Sequence, residues 1–181
     1  MQFLRISAKR QATGEPCYDR GTMSTLAKAI EIAARAHVSQ KDKSSGEPYV
    51  LHPLRLMNKV GDDEAKMAAV LHDVVEDTPV TDEDLRREGF SEAVVLAVLA
   101  LSRRPGESYA QFVIRCKADP IATKVKLADL EDNSNLPRAL LRGDRVESDL
   151  RRLNRYLLSY KFLAGEISEG VYREWMHKVG E

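Results

Sequence analysis

The stretch LHDVVEDT, residues 71–78, sets His72 beside Asp73 and repeats an acidic pair four positions later at Glu76 and Asp77. Positions four apart share a helix face, so these four ionisable groups gather in one patch. The preceding KMAAVL is apolar enough to face a core. Carboxylates entering such a dry place need a cation to neutralise them. His52 in PYVLHP and Asp129 in KVKLADLEDN, flanked by Val125, Leu127 and Ala128, offer two further ligands for that cation. Two imidazoles and two carboxylates form a mixed nitrogen and oxygen set, which suits Mn, Fe, Co or Zn better than calcium. Taken singly, each of these residues also reads as a hydrogen-bonded core group or a helix cap; the combination is what points to a site.

A dication at such a site lowers the pKa of its water toward neutrality and withdraws charge from a phosphoryl oxygen. Glu76 or Asp77 can then take the proton of an attacking water. Asn133 follows Asp129 by four residues and shares its face, so the amide can hold a ribose or phosphate, or cap the helix C-terminus. Lys plus Arg and Asp plus Glu both number 28. A phosphorylated substrate must therefore be met by local cations, for which Lys41, Lys43, Lys124 and Lys126 are candidates. Of the two remaining histidines, His37 reads as structural and His177 as solvated.

These residues need a scaffold, and 181 residues suffice for one core. Residues 1–22 carry no sustained period and read as a tail, so the domain is expected over residues 23–181. Leu26, Ile30, Ala33, Ala34 and Val38 recur at helical spacing from Ser24 to about Gln40. Further helices are predicted at about 51–60, at 62–75 behind Asp62, Asp63 and Glu64, after Thr81, from Ser91, and from Glu107. Asp119 followed by Pro120 opens a buried helix to Asn133. A long helix at about 146–165 presents Leu150, Leu153, Tyr156, Leu157 and Phe162 inward, and a last one spans about 171–178. DEDLRRE at 82–88 reads as an exposed charged face. The sum is an all-α compact bundle. Balanced charge argues against nucleic-acid or membrane partners, and short interrupted apolar runs make a cytoplasmic location the default. Cys17 and Cys116 lack metal or disulfide spacing and read as reduced thiols.

The order HP, HDVVED, KLADxxxN, over roughly residues 26–162, resembles the HD-type hydrolase domain of RelA/SpoT proteins and of small stand-alone alarmone hydrolases. The resemblance implies an HD-domain helical bundle in which His52, His72, Asp73 and Asp129 hold one metal, usually manganese, while Glu76 and Asp77 handle the attacking water. It implies release of pyrophosphate from the 3′-diphosphate of a purine nucleotide alarmone, (p)ppGpp or (p)ppApp, with no synthetase activity. Ser44, Ser45 and Gly46 resemble the family's nucleotide loop, whose small residues let backbone donors approach an anion. Arg152 and Tyr156 match a pair contacting phosphate and ribose in the small animal enzymes. Lys43 stands where the family commonly has a base-stacking arginine, and lysine lacks the flat guanidinium. The substrate set is thus Lys43, Ser44, Ser45, Lys126, Asn133, Arg152 and Tyr156. Two alternatives stay open: a broader phosphatase, such as one removing the 2′-phosphate of NADPH, and a non-catalytic alarmone sensor. A homo-oligomer is compatible with the chain.

Overall fold

The computed structural model describes residues 23–137 and 142–180, so the tail expected over residues 1–22 lies outside the described residues. In chain order the helices are α1 (Leu26–Ala36), α2 (Leu51–Met57), α3 (Asp63–Leu71), α4 (Val74–Asp77), α5 (Asp82–Arg87), α6 (Glu92–Leu101), α7 (Tyr109–Lys117), α8 (Pro120–Asn133), α9 (Val146–Leu163) and α10 (Glu169–Lys178). Among the described residues the only extended pairing is an isolated bridge between Lys41 and Pro48. The fold is the all-α bundle that the sequence predicts.

The helix starts follow from local chemistry. Thr25, Asp62, Thr81, Ser91, Ser108, Asp119 and Ser168 each accept a hydrogen bond from a first-turn amide of the helix that follows. Thr81 with Asp84 and Ser108 with Gln111 close reciprocal capping boxes. Pro120 opens α8, where its missing N–H costs nothing.

Helix α3 is the centre, packing against α1, α2, α6 and α8. Its Ala65, Ala68 and Ala69 are fully buried, and such small side chains let neighbouring helices come close. Helix α9 lies across α8 and packs on α7 and α10. No helix of the described residues is long and apolar enough to cross a membrane.

Four local expectations are corrected. The segment predicted as one helix over 62–75 is two, α3 and α4, with His72 and Asp73 at the junction. Helix α1 stops at Ala36 and α2 at Met57, and Ala34 and Val38 face solvent because Ala29 and Ala33 carry the α1 contact. On α9, Leu150 and Leu157 are exposed. Phe162 is buried as expected and Leu153 and Tyr156 are half-buried, but the fully inward positions also include Leu163 and the polar Asp149 and Ser159, which apolar periodicity cannot report. In the 82–88 run the charges are surface-exposed or partly so, but Leu85 among them is fully buried.

Cys116 is buried, donates to the Ala100 carbonyl at 3.0 Å, and has its thiol pushed up to about 12 by that burial. Leu71, the last residue of α3, is fully buried. Leu71→Ala is expected to lower stability by about 2–5 kcal/mol. Leu150→Ala, at the exposed position, should stay within about 0.5 kcal/mol. Urea denaturation midpoints of the two variants check both.

Candidate metal and nucleotide site

The break between α3 and α4 builds the centre of the site. A continuous helix would send His72 and Asp73 about 100° apart around its axis. At the junction their side chains turn toward each other, with His72 Nε2 2.8 Å from Asp73 Oδ2. His52, in the first turn of α2, brings its ring to 5.3 Å from that of His72, edge to face. One ligand atom from each of His52, His72 and Asp73 falls within a mutual 4.8 Å.

The second nitrogen of each imidazole is already engaged. His72 Nδ1 donates to the Ala69 carbonyl at 2.9 Å, and His52 Nδ1 donates to Asp132 Oδ2 at 2.9 Å. Because a carbonyl and a carboxylate only accept, both Nδ1 atoms carry the proton and both Nε2 atoms turn to the shared centre. With Nε2 deprotonated, that is the donor arrangement a divalent cation requires, so the residues present fit such an ion, which would displace the Nε2 proton that His52 otherwise shares with Asp129.

Asp129 lies at the edge of this group. Its Oδ1 is 3.3 Å from His52 Nε2 and accepts from Asn133 Nδ2 at 2.6 Å, while its Oδ2 pairs with Lys126 Nζ at 2.7 Å. Burial pushes the Asp129 carboxyl toward neutrality, but Lys126 and His52 outweigh it and hold the group well below the usual carboxylate range. Burial opposes charge on His52 as well; hydrogen bonds to Asp129 and Asp132 prevail and push it up to about 9. Asp73 is drawn down to about 2, because the His72 charge and hydrogen bond, with the Tyr49 hydroxyl, overcome burial.

Tyr49, His52, Asp73, Asp129 and Asp132 line a cleft of about 610 Å3, whose walls also include Lys41, Lys43, Ser44, Asp77, Asn133, Arg152 and Tyr156, with the buried His72 set back from its wall. The loop over residues 40–50 forms one wall. Tyr49 N donates to the Gln40 carbonyl at 3.0 Å, closing its neck, and Gly46, at φ 74°, makes the left-handed turn at its tip. The Ser44 and Ser45 amides both donate to Asp42 Oδ1, at 2.8 and 3.3 Å. Their expected role as anion donors is therefore not available in this arrangement, and only Ser44 of the two lines the cleft.

Other expected residues divide. Asp77 is exposed to the cleft and its carboxylate makes no hydrogen bond among the described residues. Burial and the Asp73 charge raise its pKa, against the opposing charges of His37, Lys43 and His72. Glu76 instead accepts from the Arg103 amide at 2.7 Å and lines a neighbouring cleft. Lys126 lies under Asp129 with its ammonium 4.9 Å from the Phe112 ring centre, removed from the cleft wall. Lys124 is turned to Asp62 at 2.8 Å on the outer surface. Arg152, one turn from Tyr156, reaches the buried Asp149 at 3.0 Å. His37 is buried and bonded to Gln40 Oε1 at 2.8 Å, a structural role. His177 is exposed.

Sequence reasoning gave no role to Tyr49, Arg55 or Asp132. Tyr49 donates to Asp73 and packs its ring between those of His37 and His52. Arg55 and Asp132 stand three residues after His52 and Asp129 respectively. That shared spacing projects each onto the same face as its partner, and was the available signal.

With this geometry in hand, the family is plain. Residues 29–123 match the HD domain family, and the chain belongs to it. Among curated relatives, a Streptomyces coelicolor GTP pyrophosphokinase is 35% identical over 155 residues, covering 78% of this chain and 18% of that protein. An Aquifex aeolicus guanosine-3′,5′-bis(diphosphate) 3′-pyrophosphohydrolase is 34% identical over 120 residues, covering 60% of this chain and 17% of that protein. The chain thus spans under a fifth of the length of these relatives. A solved structure described as a metazoan ortholog of SpoT shares the fold with a TM-score of 0.63 at 21% identity, over 85% of this chain and 92% of the other.

Lys126 and Asp129 form a nearly buried pair. Lys126→Met is expected to destabilise the chelator-treated chain by about 3–5 kcal/mol, since a buried carboxylate then lacks its main counter-charge. Added divalent cation should recover part of that loss. Thermal melts with and without metal test this, and equal loss in both conditions would contradict a metal next to Asp129.

Proposed function

We propose that the chain hydrolyses the 3′-diphosphate of a purine nucleotide alarmone, (p)ppGpp or (p)ppApp, and releases pyrophosphate with the help of one divalent cation, manganese being the family's usual choice. The observation carrying this reading is the convergence of His52, His72 and Asp73, each imidazole oriented through Nδ1, in a cleft that also holds Asp77 and Lys43. The reading is supported by the relatives: the Aquifex protein is named as a guanosine-3′,5′-bis(diphosphate) 3′-pyrophosphohydrolase, and the metazoan neighbour is described as hydrolysing ppGpp.

His52, His72, Asp73 and Asp129 would hold the cation, which when bound acidifies water and withdraws charge from a phosphoryl oxygen. The chain's own residues do the rest. Asp77, its carboxylate free of hydrogen bonds among the described residues and its pKa raised, accepts the proton of the attacking water. The water oxygen bonds to the phosphorus on the 3′ oxygen and the bond to that oxygen breaks. Pyrophosphate leaves, and the 3′ oxygen of the nucleoside 5′-polyphosphate takes up the proton that Asp77 removed from water, becoming a hydroxyl. Lys43 and Arg152, both lining the cleft, counter the phosphate charge, and Tyr156 offers its hydroxyl to the ribose. Asn133 is engaged with Asp129 and acts first as a positioning group for that ligand. Glu76, tied to the Arg103 amide, links α4 to the segment after α6 and leaves the proton to Asp77.

The test is the product. With Mn2+, pyrophosphate release is expected from guanosine or adenosine 3′,5′-bis(diphosphate), measured side by side, and not orthophosphate from NADPH; the reverse pattern would overturn the substrate assignment. Asp77→Asn should lower kcat by roughly 10²–10⁴-fold with little change in KM. Unaltered turnover in that variant would remove Asp77 from its proposed role.

A further inference from the structure

The buried Asp132 and the half-buried Arg55 make an array on the Nδ1 side of His52 that nothing in the proposed chemistry uses. Asp132 is 4% exposed. Its Oδ2 accepts from His52 Nδ1 at 2.9 Å and from Arg55 Nη2 at 3.1 Å, and its Oδ1 accepts from Arg55 Nε at 3.0 Å. The guanidinium thus grips the carboxylate with two parallel bonds, the geometry in which Arg and carboxylate fix each other most firmly. The same Nη2 stands 3.6 Å from Asp42 Oδ2, and Asp42 organises the loop that walls the cleft.

The two histidines of the centre are consequently supported in different ways. His72 leans on a neutral backbone carbonyl, His52 on a carboxylate that is itself clamped. A carboxylate behind an imidazole raises the ring's strength as a ligand and fixes which nitrogen is free. An ion pair serving only to hold α2 on α8 would be complete with Arg55 and Asp132 alone. The third, buried bond to the ring of a ligand is what gives the array a function.

We infer that Asp132 and Arg55 are positioning residues: Asp132 locks His52 with Nε2 facing the cation, and Arg55 locks Asp132. The inference rests on the metal site proposed above. Arg55 acts on the cation through Asp132, so removing it after Asp132 is neutralised has no further effect.

The test uses the full chain and Mn2+ alone, with affinity read from the electron paramagnetic resonance of free Mn2+. Asp132→Asn keeps the shape and loses the charge; its Mn2+ Kd is expected to rise roughly 10–100-fold. Arg55→Met should weaken binding by less, and the double variant should match Asp132→Asn. With four histidines in the chain, imidazole nitrogen spectra can be assigned by single substitution. His52 is expected to lose its single Nδ1-protonated form in Asp132→Ala. Wild-type affinity in Asp132→Asn, or losses that multiply in the double variant, would overturn the relay. Should Asp132→Asn fail to fold, Arg55→Met leaves the carboxylate in place and decides the matter, unchanged affinity there being the negative result. Mn2+ binding by the wild type without pyrophosphate release would end the substrate assignment and leave the relay standing. Unaltered Mn2+ affinity in the variants would end the relay and leave hydrolysis standing.

Discussion

Asp129 and Asp132 enter the domain from one face of α8, and both side chains are almost wholly removed from water. A carboxylate taken from water without partners costs several kcal/mol, so a fold that buries two of them on adjacent turns must bring cationic groups to them. Here Lys126 comes from the same helix, and His52 and Arg55 come from α2. The packing of α2 on α8 is therefore an electrostatic as well as an apolar contact. It also fixes where the His52 ring points, and with it the centre toward which His72 and Asp73 turn.

The second constraint is the interruption of the helix at His72 and Asp73. Their backbone angles remain in the right-handed region, yet the ladder is reset so that Asp73 caps α4 instead of continuing α3. The consequence reaches four residues on. Asp77 opens into the cleft, whereas Glu76 turns to the Arg103 amide at the end of α6. Two acids adjacent in sequence thus receive different hydrogen-bond surroundings, and the separate roles proposed for them rest on that difference.

The loop over residues 40–50 is organised from within. Asp42 gathers the Ser44 and Ser45 amides, Gly46 turns the tip, and the Gln40 to Tyr49 bond closes the neck. Tyr49, at the exit of the loop, ties it to the centre through its bond to Asp73, and burial with the Asp73 charge keeps its hydroxyl protonated and donating.

The amino-acid sequence by itself determined the helical class, the capping residues that start most helices, and the histidines and aspartates at the centre. These are local or type-specific properties: a serine or aspartate before an apolar period caps a helix wherever that helix goes, and few residue types can hold a cation. Only the tertiary structure decided which acid faces the cleft, that Lys126 serves Asp129 and Lys124 does not approach it, and that Asp132 and Arg55 stand behind His52. Those outcomes depend on the rotation of each helix about its axis and on partners as far as 80 residues away along the chain. The exposure of Leu150 and Leu157 on α9, and the polar residues buried there, have the same origin. Asp149 and Ser159 are buried because Arg142, Arg152 and Tyr172 bind them there, and hydrophobic periodicity carries no record of such partners.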